Sequence, residues 1–202
     1  MRSKYIEKNT VTKLRTVIGA DRWLPLRISL ETGLRIGDCL SLRFSSLKKN
    51  AAKEPNVGYI YYIITKAQKT GKVGTFRISE QLYKILKAQP GRPSDYIFRS
   101  YGKSGHLTRQ AAWARMKSAA ERLGIEKDGI SPHSLRKCFA VALRHEQGLA
   151  AVREALQHNS AAVTRVYAYA DTILNFDSDA AIRWMDVEIL VDYILERLHE
   201  KV

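Results

Sequence analysis

Apolar residues recur at helical spacing over most of this 202-residue chain, with one interruption near its first third. Thr10 caps a predicted helix that runs to about Ile18, and Trp23 to Glu31 carry a second that Thr32-Gly33 stops. A short helix is expected from about Ile36 to Leu42. After the Lys/Asn/Pro-containing loop 48 to 56 the pattern changes, because Tyr59-Ile60-Tyr61-Tyr62-Ile63-Ile64-Thr65 is β-branched and aromatic, the composition of a strand. Lys69-Thr70-Gly71-Lys72-Val73-Gly74 reads as a turn, with Thr75 to Ile78 returning as a second strand. Residues 57 to 78 thus predict a small antiparallel sheet.

Helical patterning then resumes. Ser79 caps a helix containing Leu82, Ile85 and Leu86, ended by Pro90-Gly91. An extended piece at Tyr96 to Phe98 leads into a loop, Gly102 to Gly105. Thr108 opens a helix with Ala112, Met116, Ala119 and Leu123 on its apolar face, stopped by Gly124. Ser131-Pro132 starts another, with Ser as N-cap and Pro at the first helical position, reaching about Gln147 before Gly148. Helices over Ala150 to Gln157, Ser160 to about Tyr167 and Ala180 to about Leu198 complete the chain. The fold class is mainly α with a small antiparallel β-sheet (α+β). No repeat, low-complexity stretch or linker composition appears, which favours one compact domain with a terminal extension.

Charge sharpens this picture. The chain holds 34 Lys+Arg against 20 Asp+Glu, a formal net charge of +14, and 45% of its residues are hydrophobic, enough for a full core. The excess is confined to residues 1 to 170, which balance at +19, whereas residues 171 to 202 balance at −5. A cationic body of this size favours a polyanion, since phosphate neutralisation with counterion release drives nucleic-acid binding. No apolar run approaches the about 20 residues that span a bilayer, and MRSKYIEKNT lacks the apolar stretch of a secretory signal, so a cytoplasmic protein without membrane contact is expected. Cys39 and Cys138 lack metal-ligand spacing, and no GxxxxGK[ST] phosphate loop is present; neither a metal nor a nucleotide cofactor is implied.

One segment has the makings of a phosphate site. In Ser131-Pro132-His133-Ser134-Leu135-Arg136, His133 and Arg136 share a face of a first helical turn, beside main-chain N–H groups and the positive end of the helix dipole. Upstream, Thr32-Gly33-Leu34-Arg35-Ile36-Gly37-Asp38 sets an arginine just after a glycine break, with a carboxylate three residues on. Downstream, Leu156-Gln157-His158 is followed nine residues later by Tyr167. In this order and at these intervals, Arg35, His133-x-x-Arg136, His158 and Tyr167 resemble the catalytic domain of the tyrosine recombinase (phage integrase) family, over about residues 10 to 170. Lys69, in Gln68-Lys69-Thr70-Gly71, matches the lysine of that family's small sheet.

The resemblance implies the tyrosine recombinase catalytic-domain fold and cleavage of double-stranded DNA by a tyrosine hydroxyl. The 5′ oxygen leaves and a 3′-phosphotyrosyl bond conserves the energy of the broken one, so no ATP, metal or cofactor is needed. Arg35 and Arg136 would grip the non-bridging oxygens, where each preorganised donor contributes about 10²- to 10³-fold in rate. Lys69 would be the general acid at the leaving oxygen, with Lys66 and Lys72 as neighbouring rivals. His133 would assist proton movement at the tyrosine, His158 would donate to a non-bridging oxygen, and Asp38 would hold Arg35 or its neighbours in place. Tyr167 fits the nucleophile's spacing better than Tyr169, which is expected to pack. Gln157 departs from the glycine usual before the histidine. Arg77, Lys72, Lys103, Arg109 and Arg115 are candidates for contact with the DNA backbone.

By the same resemblance, residues 1 to 170 are the DNA-cleaving domain and 171 to 202 an extension. Family members usually carry a further amino-terminal helical domain that clamps the duplex, and only about ten residues precede the first helix here. The apolar positions of 182 to 198, among them Trp184, Leu190 and Leu195, form too wide a surface for a helix lying on one core face. Exchange of this helix between subunits and packing in cis both cover it. The implied protein is a site-specific recombinase of a mobile genetic element, monomeric in solution and a homotetramer on DNA. A type IB topoisomerase-like relaxation enzyme and a catalytically silent DNA-binding module of the same fold are the competing readings.

Overall fold

The computed structural model describes residues 3–51, 58–125 and 129–156. The helices predicted over Ser160 to Tyr167 and Ala180 to Leu198, and with them Gln157, His158, Tyr167, Tyr169 and the 171–202 extension, lie outside the described residues. Six helices and a three-stranded antiparallel sheet account for most of the described chain, which divides into two compact units. One takes the described residues up to Ile36 and from Gln110 onward; the other is Gly37–Arg109.

The first unit is helical. α1 (Lys8–Ile18) presents Val11, Leu14 and Ile18 inward, at the spacing that faces one side of a helix. It starts earlier than predicted, with Glu7 rather than Thr10 at the N-cap and no side-chain cap bond. α2 (Ala20–Thr32) also begins earlier, after Gly19, and contains Pro25, which is buried with Trp23, Leu24 and Leu26. Together with α5 (Arg109–Arg122) and α6 (Pro132–Ala155), these helices enclose a core of Ile6, Leu14, Trp23, Leu26, Met116, Ala120, Leu135 and Cys138. α6 leaves helical geometry at Gly148 (φ 80, ψ −179), where the sequence places its break. Val152 and Leu156, beyond the break, pack with Ala140 and Leu143 before it.

α2 ends in a turn that admits only glycine. Gly33 is left-handed (φ 67, ψ 7) and its N–H closes on the Ser29 carbonyl at 3.0 Å. A Cβ there would lie 2.4 Å from Phe139 Cδ1 and 2.8 Å from Leu156 Cδ2, far inside contact distance. Ser29 Oγ donates to the Leu34 carbonyl at 2.7 Å, and the Leu34 N–H donates to Thr32 Oγ1 at 3.2 Å, so the chain leaves the helix along a fixed path.

The second unit contains α3 (Ile36–Leu40) from Gly37 onward, a 3-10 turn at Phe44–Ser46, the sheet, and α4 (Glu80–Ala88). The sheet order is β1-β2-β3, with β1 (Leu47–Lys49) pairing Leu47 to Ile63 and β3 (Val73–Ile78) pairing Ile78 to Tyr61 of the central β2 (Tyr61–Lys66). The two-strand expectation is corrected by β1, and Gly74 belongs to β3, opposite Thr65, rather than to the turn. Tyr61 and Ile63 point into the core and Ile64 outward, the alternation of a half-buried strand. Ser79 caps α4 as predicted, accepting the Leu82 N–H at 3.2 Å.

Gly33→Ala should destabilise the fold by about 3 kcal/mol, combining left-handed strain with overpacking. In a Phe139→Ala background the same change should cost at least ~1 kcal/mol less, because one obstructing ring is gone. Denaturant unfolding of the four proteins measures this, and strictly additive costs would refute the steric account.

Candidate active site

In the helical unit, Arg136 is the organising group. It sits one turn into α6, 3% exposed, and its guanidinium donates to the Gly33 carbonyl and, at 2.9 Å, to the Leu156 carbonyl. Both acceptors lie at or near helix C-terminal ends, where carbonyls carry the negative end of the dipole. The planar fork spans two carbonyls that an ammonium, a point donor, would not bridge in the same way. Gly33 is two residues before Arg35, and Leu156 is two residues before His158. Arg136 therefore holds the turn that precedes Arg35 and the main chain at Leu156, the last described residue.

Arg35 emerges from the Gly33 turn half-exposed, and among the described residues it makes no hydrogen bond or ion pair. His133 stands on the first turn of α6 with an exposed edge. Its pKa is lowered from the ordinary histidine value by desolvation, then by the nearby charges of Arg136, Lys137 and Arg35. The helix that presents it begins at Pro132, directly after Ser131, as predicted, and Ser134 closes the start. Ser134 Oγ accepts the Ser131 N–H at 3.2 Å and donates to the Gly129 carbonyl at 3.1 Å. The chain's start is stitched to the same place: the Lys4 N–H donates to the Gly129 carbonyl at 2.8 Å, Lys137 Nζ to the Ser3 carbonyl, and Cys138 Sγ to the Ile6 carbonyl at 3.4 Å. Burial pushes the Cys138 thiol up to about 12, which leaves it without thiolate chemistry.

The sheet unit carries the predicted general acid. Lys69 is exposed on the turn between β2 and β3, which closes through the Ala67 N–H on the Lys72 carbonyl and the Gly71 N–H on the Ala67 carbonyl, both 2.8 Å. Lys66 and Lys72 are exposed on either side of it. Asp38 is buried, and the carboxylate expected to steady Arg35 or its neighbours instead accepts the Gln68 main-chain N–H at 2.9 Å. Of the residues expected to contact DNA in this unit, Lys103 and Arg109 are exposed, while Arg77 is half-buried on β3 opposite Tyr62. In the helical unit Arg115 is half-buried with its Nη1 3.5 Å from the Arg22 carbonyl, and its pKa is lowered by burial and by the Arg22 charge. Sequence reasoning assigned no role to Gln68, Ser134 or the Gly33 and Leu156 carbonyls. The carbonyls leave no mark on residue identity.

In the helical unit a left-handed glycine turn precedes Arg35 and a His-x-x-Arg pair starts α6, and in the sheet unit Lys69 stands on the turn between β2 and β3. The chain belongs to the phage integrase family, whose model matches residues 5–172. Tyrosine recombinase XerD of Rhizobium meliloti strain 1021 is 32% identical over 145 residues, covering 68% of this chain and 43% of the relative. XerD of Pasteurella multocida is 29% identical over 179 residues, covering 82% of this chain and 58% of the relative. The chain thus spans roughly half the length of the curated relatives it matches. Among solved structures, XerH site-specific recombinase in a pre-cleavage complex with difH substrate aligns with TM-score 0.63 at 22% identity, over 83% of this chain and 51% of that one. The catalytic domain of bacteriophage HP1 integrase aligns with TM-score 0.55 at 21% identity, over 87% of this chain and 96% of that one. The mainly helical fold with a three-stranded sheet is that of tyrosine recombinase catalytic domains.

An NMR titration of His133 should give a midpoint below about 6.5, the ordinary histidine value. Arg35→Ala should raise that midpoint by removing one of the three cations; an unchanged midpoint would exclude Arg35 from the field at the ring. Because the folded value is the lower one, the unfolded chain takes up the proton first on acidification. The His133 contribution to stability is therefore present above about 6.5 and lost as pH falls through the folded value.

Proposed function

We propose that this chain is the cleaving domain of a site-specific DNA recombinase, breaking and rejoining strands through a 3′-phosphotyrosine at Tyr167. The observation that carries this reading is the pairing of Arg136 with the Gly33 turn, which fixes one buried guanidinium and the approach to Arg35 around a single helix start. Two arginines, permanently charged, suit the charge that gathers on the non-bridging oxygens of a pentacoordinate phosphate. Family membership and the likeness to XerD proteins support recombination over supercoil relaxation or a silent module.

In this reading the Tyr167 oxygen bonds to phosphorus as the bond from phosphorus to the 5′ oxygen breaks. Depression of the His133 pKa keeps its imidazole neutral and able to accept a proton on the tyrosine side. Lys69 supplies a proton to the departing 5′ oxygen, and His158 donates to a non-bridging oxygen. Rejoining runs the same steps backward with a 5′ hydroxyl as nucleophile, and no external energy source enters. Duplex DNA is the partner, held by the +19 body, with Lys72, Arg77, Lys103, Arg109 and Arg115 along its phosphates. Four copies act on two sites. The acidic 171–202 segment serves protein contact rather than phosphate, and the work is done in the cytoplasm on behalf of a mobile element.

A nicked suicide duplex bearing the cognate site should trap a covalent adduct visible on denaturing gels. Tyr167→Phe should abolish it, and Arg136→Ala should slow its formation by at least about 10²-fold. An adduct persisting in Tyr167→Phe would remove Tyr167 as nucleophile, and no adduct on a verified site would favour the silent module.

A further inference from the structure

Asp38 lies in the middle of α3, 2% exposed, and a carboxylate so placed needs donors to replace water. Its Oδ1 takes the Gln68 main-chain N–H at 2.9 Å, across thirty residues of sequence. The same residue is held twice more by α3 and the position just after it: Gln68 Nε2 donates to Ser41 Oγ at 2.9 Å and approaches the Gly37 carbonyl at 3.4 Å. At Gly37 a Cβ would stand 3.4 Å from Gln68 Oε1 and 3.3 Å from Arg109 Cδ, so this side of α3 is closely covered. All three contacts converge on the residue immediately before Lys69.

The turn itself is a closed loop, tied by the two main-chain bonds between Ala67 and Lys72 and between Gly71 and Ala67. The turn is carried by the paired ends of β2 and β3, Lys66 opposite Val73, and is fastened to α3 through Gln68. Lys69 is exposed on a four-carbon stem, so the reach of its ammonium depends on a fixed backbone beneath it.

We propose that Asp38 is a positioning residue for strand cleavage, acting through the Gln68 amide to hold the Lys69 turn at the leaving 5′ oxygen. This rests on the reading of Lys69 as general acid given above. In the step concerned, the bond from phosphorus to the 5′ oxygen breaks, its electron pair stays on that oxygen, and a Lys69 ammonium proton is transferred to it. The phosphorus accepts the Tyr167 oxygen in exchange.

The test compares two suicide duplexes, one with the ordinary 5′ bridging oxygen and one with sulfur in that position, using the full chain. A thiolate departs without protonation, so sulfur hides the loss of a general acid and no other defect. On the oxygen duplex, Lys69→Ala should be slowed by about 10²-fold or more and Asp38→Ala by about 10-fold or more, with both near the wild-type rate on sulfur. Asp38→Asn, which keeps an Oδ1 acceptor for the Gln68 amide, should remain within a few-fold of wild type on both. Rescue of Asp38→Ala by sulfur also reports that the variant is folded. Should that variant not accumulate, Asp38→Asn repeats the comparison, and any loss it shows should be confined to oxygen. A loss of equal size on both duplexes, in either variant, overturns the proposal, as does an unimpaired Asp38→Ala. Wild type forming no adduct, or Lys69→Ala unrescued by sulfur, would instead overturn the underlying assignment of function or of the acid, and this proposal with it.

Discussion

A single guanidinium buried among main-chain carbonyls sets the geometry of the helical unit. Arg136 reaches the end of α2 at Gly33 and the far part of α6 at Leu156, two points far apart in sequence, and satisfies a carbonyl at each. Burying a cation is costly unless it is hydrogen-bonded on arrival, and here the fold supplies two carbonyls at helix ends. The bend at Gly148 is what returns the chain so that Leu156 stands within reach. Left-handed Gly33 is what turns its carbonyl toward the guanidinium. These two glycines thus act on one cation from opposite sides.

The electrostatic consequence is local. Desolvation, and then the charges of Arg136, Lys137 and Arg35 around the start of α6, disfavour a further positive charge and lower the pKa of the His133 imidazole. The same cations that make this helix start electropositive also weaken the proton affinity of the imidazole beside it. An anion arriving there would offset part of that field and raise the proton affinity of His133. In the sheet unit the turn that carries Lys69 is held by main-chain hydrogen bonds and one buried carboxylate.

Much of this was legible in the sequence where the signal is local. The Thr32-Gly33 stop, the Ser79 cap and the Gly148 break each reside in one or two residues whose backbone or side-chain preference acts on its neighbours, and each is found where it was read. β1 was not legible, because Leu47-Lys48-Lys49 has no strand periodicity of its own and is extended only by pairing with β2. α6 begins at Pro132, directly after Ser131, as read, and what the sequence did not disclose is that Ser134 closes this start by accepting the Ser131 N–H. Site residues were readable as types at intervals, whereas what holds them was not. Asp38 looked poised to serve the arginine three positions away, and its partner is a main-chain amide brought in by the sheet. His158 and Tyr167 lie outside the described residues, so their placement adds nothing to this comparison.

The stitching of the first residues to α6 has a mechanical consequence. The Lys4 amide on Gly129 and Lys137 on the Ser3 carbonyl fasten the chain beside the helix start that carries His133. Any polypeptide joined ahead of Ser3 departs from that fixed point rather than from a swinging arm. Its effective concentration at the start of α6 is then governed by the length and stiffness of the connection alone. A short tether would confine an attached module to one end of this helix, and a long one would release it.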